Sequence, residues 1–193
     1  MKSLDERTLD TVLSALGQQL EAVGFEFGIV LVGGAALSLS RFVTRATNDV
    51  DVIAIAHGRH THISPPDKMP EPFAAAVARV ARDFGLEPNW LNTDVAKQWR
   101  FGLPDGFAGR VTWRPVGGLR VGLASRIDLI FLKLFAASDN PGSDNRHYRD
   151  LLALRPTASD LQAAASWVVT QDASPAWPSE VARVIAHVTA EPR

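Results

Sequence analysis

Two carboxylates, Asp49 and Asp51, stand two residues apart in the stretch Thr47-Asn48-Asp49-Val50-Asp51-Val52-Ile53-Ala54-Ile55-Ala56. The composition reads as a strand, and residues two apart on a strand point to the same face. Two acids side by side on an otherwise apolar strand repel each other and are costly unless a cation sits between them. A divalent metal, with magnesium the natural choice, satisfies both. Upstream, Ile29-Val30-Leu31-Val32 is followed by Gly33-Gly34 and a small apolar segment from Ala35. A strand that turns through two glycines into a helix exposes backbone N–H groups to phosphate oxygens, with no side chain in the way. A phosphate cradle followed by a metal-binding acid pair supplies the two parts needed to handle a nucleoside triphosphate. The plain alternatives are a strand end whose acids face water and an ordinary strand-to-helix turn.

Other side chains could join this chemistry. Arg45 could pair with a carboxylate or reach a phosphate, and Thr47 could hydrogen-bond beside Asp49. On its own, Arg45 would read as a surface arginine and Thr47 as a strand former. His57, His60 and His62 lie in a polar, proline-ended loop and could bind a metal, although a solvated loop is the simpler reading. Arg110, Arg114 and Arg120 could form a basic face, against the simpler reading of solvated arginines.

The elements that must position these residues follow from pattern. Ser3 and Glu6 fit a capping box, and Leu9, Val12, Leu13, Leu16, Leu20 and Val23 recur at helical spacing up to Gly24. A strand is expected over Phe27 to Val32, and the run Val52 to Ala56 reads as a strand buried on both faces. Phe73, Val77, Val80, Ala81 and Phe84 define a helix from about Glu71 to Gly85. A short helix is expected near Val95 to Trp99, and a turn over Leu103 to Phe107. Arg110 to Val116 and Leu119 to Leu123 flank Gly117-Gly118 as a hairpin. Ser125 can cap an apolar helix over Ile127 to Ala137. A loop over Ser138 to Asn145 precedes a helix carrying Tyr148, Leu151, Leu152 and Leu154, which Pro156 breaks. Helices over Ala158 to Thr170 and Ser179 to Thr189 close the chain.

The fold class expected is therefore α/β (α+β), a small mixed sheet flanked by helices. A core over residues 1–137 carries the site, and residues 138–193 form a helical extension packed on it. The 193 residues allow a core of useful size, and the net charge of −1 gives no support to a strongly basic nucleic-acid binder. There is no cysteine, which excludes a disulfide framework and a thiolate zinc site. No apolar run is long enough to span a bilayer and the N-terminus has no signal core, so a cytoplasmic location is expected.

The ordered set Gly33-Gly34-Ala35-Ala36-Leu37, then Arg45-Ala46-Thr47-Asn48-Asp49-Val50-Asp51, resembles the nucleotidyltransferase superfamily that includes DNA polymerase beta. The Arg-x-Thr ahead of the acids is most similar to the small bacterial abortive-infection toxin-type enzymes and their uncharacterised relatives. That group carries a Lys-Leu-x-Ala segment and an Arg-Asp segment after its core, matched here by Lys133-Leu134-Phe135-Ala136 and Arg149-Asp150-Leu151-Leu152. The resemblance implies that Lys133 meets phosphate and that Asp150 completes the acidic site or holds the lysine. The residues alone equally suit a buried ion pair joining two helices. The superfamily usually places a third acid on a neighbouring strand. The strand expected there, Arg110 to Arg114, has none, and Asp94, Asp105 or Asp150 could substitute.

Three functions follow. One is a magnesium-dependent nucleotidyltransferase that moves a nucleotidyl group from an NTP to a hydroxyl of RNA, protein or a small molecule, in a toxin–antitoxin setting with an antitoxin or toxin partner. The second is a catalytically degenerate relative that binds a nucleotide or partner without turnover, motivated by the missing third acid. The third, an Asp-x-Asp phosphatase, fits less well: Asp51 begins the apolar run and Ile53 stands where such an enzyme has Thr or Val.

Overall fold

Phe27-Gly28-Ile29-Val30-Leu31-Val32 contains no polar side chain, and all six residues are buried as strand β1 (Phe27–Val32). Only an interior strand accepts such a run, and β1 is the middle strand of a five-stranded mixed sheet. The computed structural model describes residues 3–57, 62–140 and 145–191. Its elements form two compact units, Met1–Arg100 with Gly106–Ala124, and Phe101–Asp105 with Ser125–Arg193.

In the first unit, β1 pairs antiparallel with β2 (Val50–His57) and parallel with β5 (Leu119–Leu123). Strand β5 pairs antiparallel with β4 (Thr112–Val116), and β2 pairs parallel with the two-residue β3 (Leu91–Asn92), giving the order β3-β2-β1-β5-β4. Strand β3 covers only the start of β2. Beyond it, the Trp99 indole donates to the Ile53 carbonyl at 2.5 Å, and Ile55 exchanges two backbone hydrogen bonds of 2.9 Å with Ser64. The edge of β2 is thereby closed by side chain and loop, which removes unpaired strand groups from solvent.

Helix α1 (Glu6–Ala22) presents Leu9, Val12, Leu13, Leu16 and Leu20, all fully buried, at the expected spacing. Its cap differs from expectation. Asp5, not Ser3, accepts the Thr8 N–H at 2.8 Å. The cause is tertiary: Leu4 bridges Thr47 through two backbone hydrogen bonds, which holds the chain extended up to Leu4. Asp5 is the first residue able to turn. Gly17 sits inside this helix because a Cβ there would lie 1.8 Å from the Val116 carbonyl oxygen of the β4–β5 hairpin. Helix α2 (Gly33–Leu39) follows β1, and α3 (Glu71–Phe84) sets Phe73 4.8 Å from the Phe27 ring. The short α4 (Phe107–Arg110) takes Arg110 out of the expected strand, which begins at Thr112; Phe107, 2% exposed, anchors that turn. A 3-10 helix, Asp94–Arg100, replaces the short helix expected at Val95 to Trp99.

The second unit is helical: α5 (Arg126–Asp139), α6 (Arg146–Ala153), α7 (Ala158–Val168) and α8 (Trp177–Ala190). Helix α5 packs against the other three. By this packing α5 belongs to the second unit, which apart from Phe101–Asp105 begins at Ser125. Its interior is Leu129, Ile130 and Leu134 with Leu151, Leu161, Ala164, Val168 and Val181. Arg126 ties the ends of α6 and α7 together. It donates to the Leu154 carbonyl at 2.9 Å, the Arg155 carbonyl at 2.5 Å and Asp160 Oδ2 at 3.0 Å. Asp160 also closes a capping box with Thr157, and the Thr157 N–H, with Arg126, holds its carboxyl below the usual range against the opposing effect of burial.

Candidate active site

The turn from β1 into α2 leaves Gly33 with φ of +65°, a left-handed conformation that side chains other than glycine rarely take. Space forbids a side chain there as well. A Cβ on Gly33 would stand 2.1 Å from Asp51 Oδ2, and one on Gly34 would stand 2.6 Å from Thr47 Oγ1 and 3.7 Å from Arg45 Nη1. The diglycine is thus the floor against which Asp51, Thr47 and Arg45 pack.

Asp51 is the second residue of β2, paired in register with Val32 on one side and Asn92 on the other. Asp49 stands one residue ahead of the strand, not within it, because β2 begins at Val50. A hydrogen bond positions it instead: Thr47 Oγ1 donates to Asp49 Oδ1 at 3.4 Å. Thr47 is itself 3% exposed and pinned by the Leu4 bridge. The run Asp49–Thr47–Gly34–Gly33–Asp51 therefore links both carboxylates through successive contacts around one bend. Both acids are half-buried, which leaves each accessible to a ligand. Arg45 donates to the neighbouring Ala46 carbonyl at 3.3 Å and stays beside Gly34.

Two carboxylates suit magnesium, which is typically held by one or two acids with substrate phosphates and water completing its shell. Among the described residues, no group of three or more His, Cys, Asp and Glu is placed to hold a metal. The strand expected to carry a third acid, β4, is the far edge of the sheet, separated from β2 by β1 and β5. The outer neighbour of β2 is β3, with Asn92 opposite Asp51. Sequence reading missed Asn92, because a two-residue strand has no period to detect.

Lys133 and Asp150 are brought together in the second unit. Lys133 Nζ of α5 lies 2.7 Å from Asp150 Oδ2 of α6, with side-chain exposures of 7% and 1%. They form a buried ion pair between two helices. Of the histidines, His57 is exposed and edge-on to Phe27 at 5.6 Å, His62 is exposed, and His60 lies outside the described residues. Arg114 pairs with Asp10 at 2.8 Å and the Arg120 guanidinium stacks 4.7 Å from the Trp113 ring centre, so these two hairpin arginines are engaged within the unit.

A mixed sheet whose middle strand bends through a diglycine into a short helix, with an acid pair entering the adjacent strand, is the core of a nucleotidyltransferase. The chain belongs to the family described as "Nucleotidyltransferase of unknown function (DUF6036)", whose profile matches residues 7–148. That span holds the diglycine, both acids and Lys133, and ends before Asp150. No curated protein matches the chain. Among solved structures, the chain is similar to an antigenic nucleotidyltransferase-like protein from Paracoccidioides brasiliensis. The identity is 18%, the TM-score 0.48, and the match covers 94% of this chain and 95% of that one. No helix among the described residues is long and apolar enough to cross a membrane.

Proposed function

We propose that the chain is a metal-dependent nucleotidyltransferase. The single observation behind this is the contact of Asp51 with Gly33 and of Thr47, the partner of Asp49, with Gly34. That geometry supports reading the acid pair and the bend as parts of one site. Asp49 and Asp51 would hold Mg2+, which when bound neutralises charge on the triphosphate. Gly33 and Gly34 admit the phosphates to backbone N–H groups, Arg45 offers charge to a phosphate oxygen, and Thr47 orients Asp49. In the reaction a hydroxyl oxygen of the acceptor bonds to the α-phosphorus. The bond from that phosphorus to the bridging oxygen breaks, pyrophosphate leaves, and the hydroxyl proton passes to solvent or a base. The acceptor class is a hydroxyl of RNA, protein or a small molecule. Asp150 holds Lys133, and Lys133 is proposed as a phosphate contact on the strength of the toxin-type resemblance alone. The same resemblance supports a toxin–antitoxin setting with an antitoxin or toxin partner, while a cytoplasmic site of action follows from the sequence pattern alone.

Incubation with α-labelled NTPs, Mg2+ and cell extract tests this. Labelled acceptor is expected from the wild type, and a loss of at least about 100-fold from Asp49→Ala and Asp51→Ala. Equal labelling by Asp49→Ala would remove the acid pair from the mechanism. One observation favours a second reading, a nucleotide-binding module without turnover: the described residues hold no third carboxylate beside the pair. It predicts heat on titration with NTP and Mg2+ but no labelled product.

A further inference from the structure

The parallel register sets Asn92 of β3 directly beside Asp51 of β2. In-register residues on neighbouring strands share a face, and the strands run about 4.8 Å apart. The half-buried Asn92 side chain therefore stands on the Asp51 side of the sheet. Its amide is held in one orientation. The backbone N–H of Asp94, at the start of the 3-10 helix, donates to Asn92 Oδ1 at 3.1 Å. Because that donor is a backbone N–H, the atom facing it must be the oxygen. The other end of the amide, Nδ2, has two donors and no acceptor. Magnesium takes oxygen ligands, whereas a phosphate oxygen takes donors.

We propose that Asn92 is a substrate-positioning residue of the Asp49/Asp51 site, whose Nδ2 donates to a triphosphate oxygen bound beside Asp51 without ligating the metal. Being neutral, it adds no carboxylate of its own beside Asp51. This rests on the nucleotide and metal reading above and adds to it a residue with a stated role. It makes the site one that reads phosphate from the β3 side while holding its cation loosely, with affinity supplied largely by the substrate's own phosphates.

Two probes separate the roles: Mn2+ alone, followed by the paramagnetic signal of the free ion, and inorganic tripolyphosphate with Mg2+, followed by calorimetry. Asn92→Ala is expected to leave Mn2+ affinity within about twofold and to weaken tripolyphosphate about tenfold, the scale of a hydrogen bond to a charged group. Asn92→Asp keeps an acceptor for the Asp94 N–H, so it preserves the fold if the alanine variant does not. It is expected to tighten Mn2+ about tenfold, to weaken tripolyphosphate, and to lose the Mn2+ gain when combined with Asp51→Asn. If Asn92→Ala weakens Mn2+ as much as Asp49→Ala does, Asn92 is a ligand and the proposal is wrong. If the wild type binds both probes and neither Asn92 variant changes either, Asn92 has no role and the nucleotide reading stands. A wild type that binds neither probe sinks both.

Discussion

The two charge pairs of this molecule are built on opposite terms. Asp49 and Asp51 are like charges, half-buried, at a bend where two glycines keep the backbone bare. Lys133 and Asp150 are opposite charges, 2.7 Å apart, and almost wholly enclosed between α5 and α6. On the proposed reading the first pair is completed by a visiting cation. The second is satisfied within the protein, and each member is expensive to leave alone. The contrast is between a bend proposed as a binding site and an ion pair that latches α5 to α6.

The largest expected effect tests the latch. Lys133→Met or Asp150→Leu strands one buried charge and should cost about 3–5 kcal/mol in urea unfolding. The double variant should recover most of that loss, and a double as unstable as either single would show that the pair does more than satisfy itself. At the open pair the effect should fall on binding rather than on folding: Asp51→Asn should lower Mn2+ binding while changing stability by no more than about 1 kcal/mol. A loss of several kcal/mol there would erase the distinction. Gly33→Ala comes next. The positive φ and the 2.1 Å approach to Asp51 Oδ2 together should cost about 2 kcal/mol or more and displace the carboxylate, read as lost Mn2+ binding.

A smaller effect belongs to Asp160, whose carboxyl is depressed by the Thr157 N–H and by Arg126. Its folded value lies below its unfolded value of about 3.9. Its contribution is therefore fully present above that unfolded value and is lost as pH falls from about 4 through the folded one. Asp160→Asn should cost about 1–2 kcal/mol at neutral pH and flatten this part of the acid side of the stability profile. The smallest change is a gain. Arg41 ends α2 in the left-handed region at φ of 60°, so Arg41→Gly should add about 0.5–1 kcal/mol, less whatever its exposed pair with Glu6 supplies.

Strand β1, the two glycines, the acid pair, α3 and the hairpin were legible in the chain because each is a local pattern: an unbroken apolar run, a turn composition, a helical period. Gly17 left a weaker signal, a glycine inside an otherwise regular helix, and only the hairpin carbonyl 1.8 Å from its would-be Cβ explains it. Asp5 displaced Ser3 as the cap because Leu4 is bound to a residue more than forty positions away. The chain points to Arg110–Arg114 for a third acid because sequence order says nothing about which strand neighbours which, and the sheet puts that strand at its far edge.

By itself, then, the order of residues determined the chemical inventory of the candidate site, a bare bend and two acids, since those properties belong to side-chain types and to their spacing along the chain. It determined the helical periods as well. Tertiary structure alone decided which strand flanks Asp51 and that Asn92 is the residue beside it, and it chose the buried ion pair among the pairings open to Lys133 and Asp150. Those pairings join segments distant in sequence, and they are set by burial and backbone hydrogen bonding across the sheet and between helices, which no local window contains.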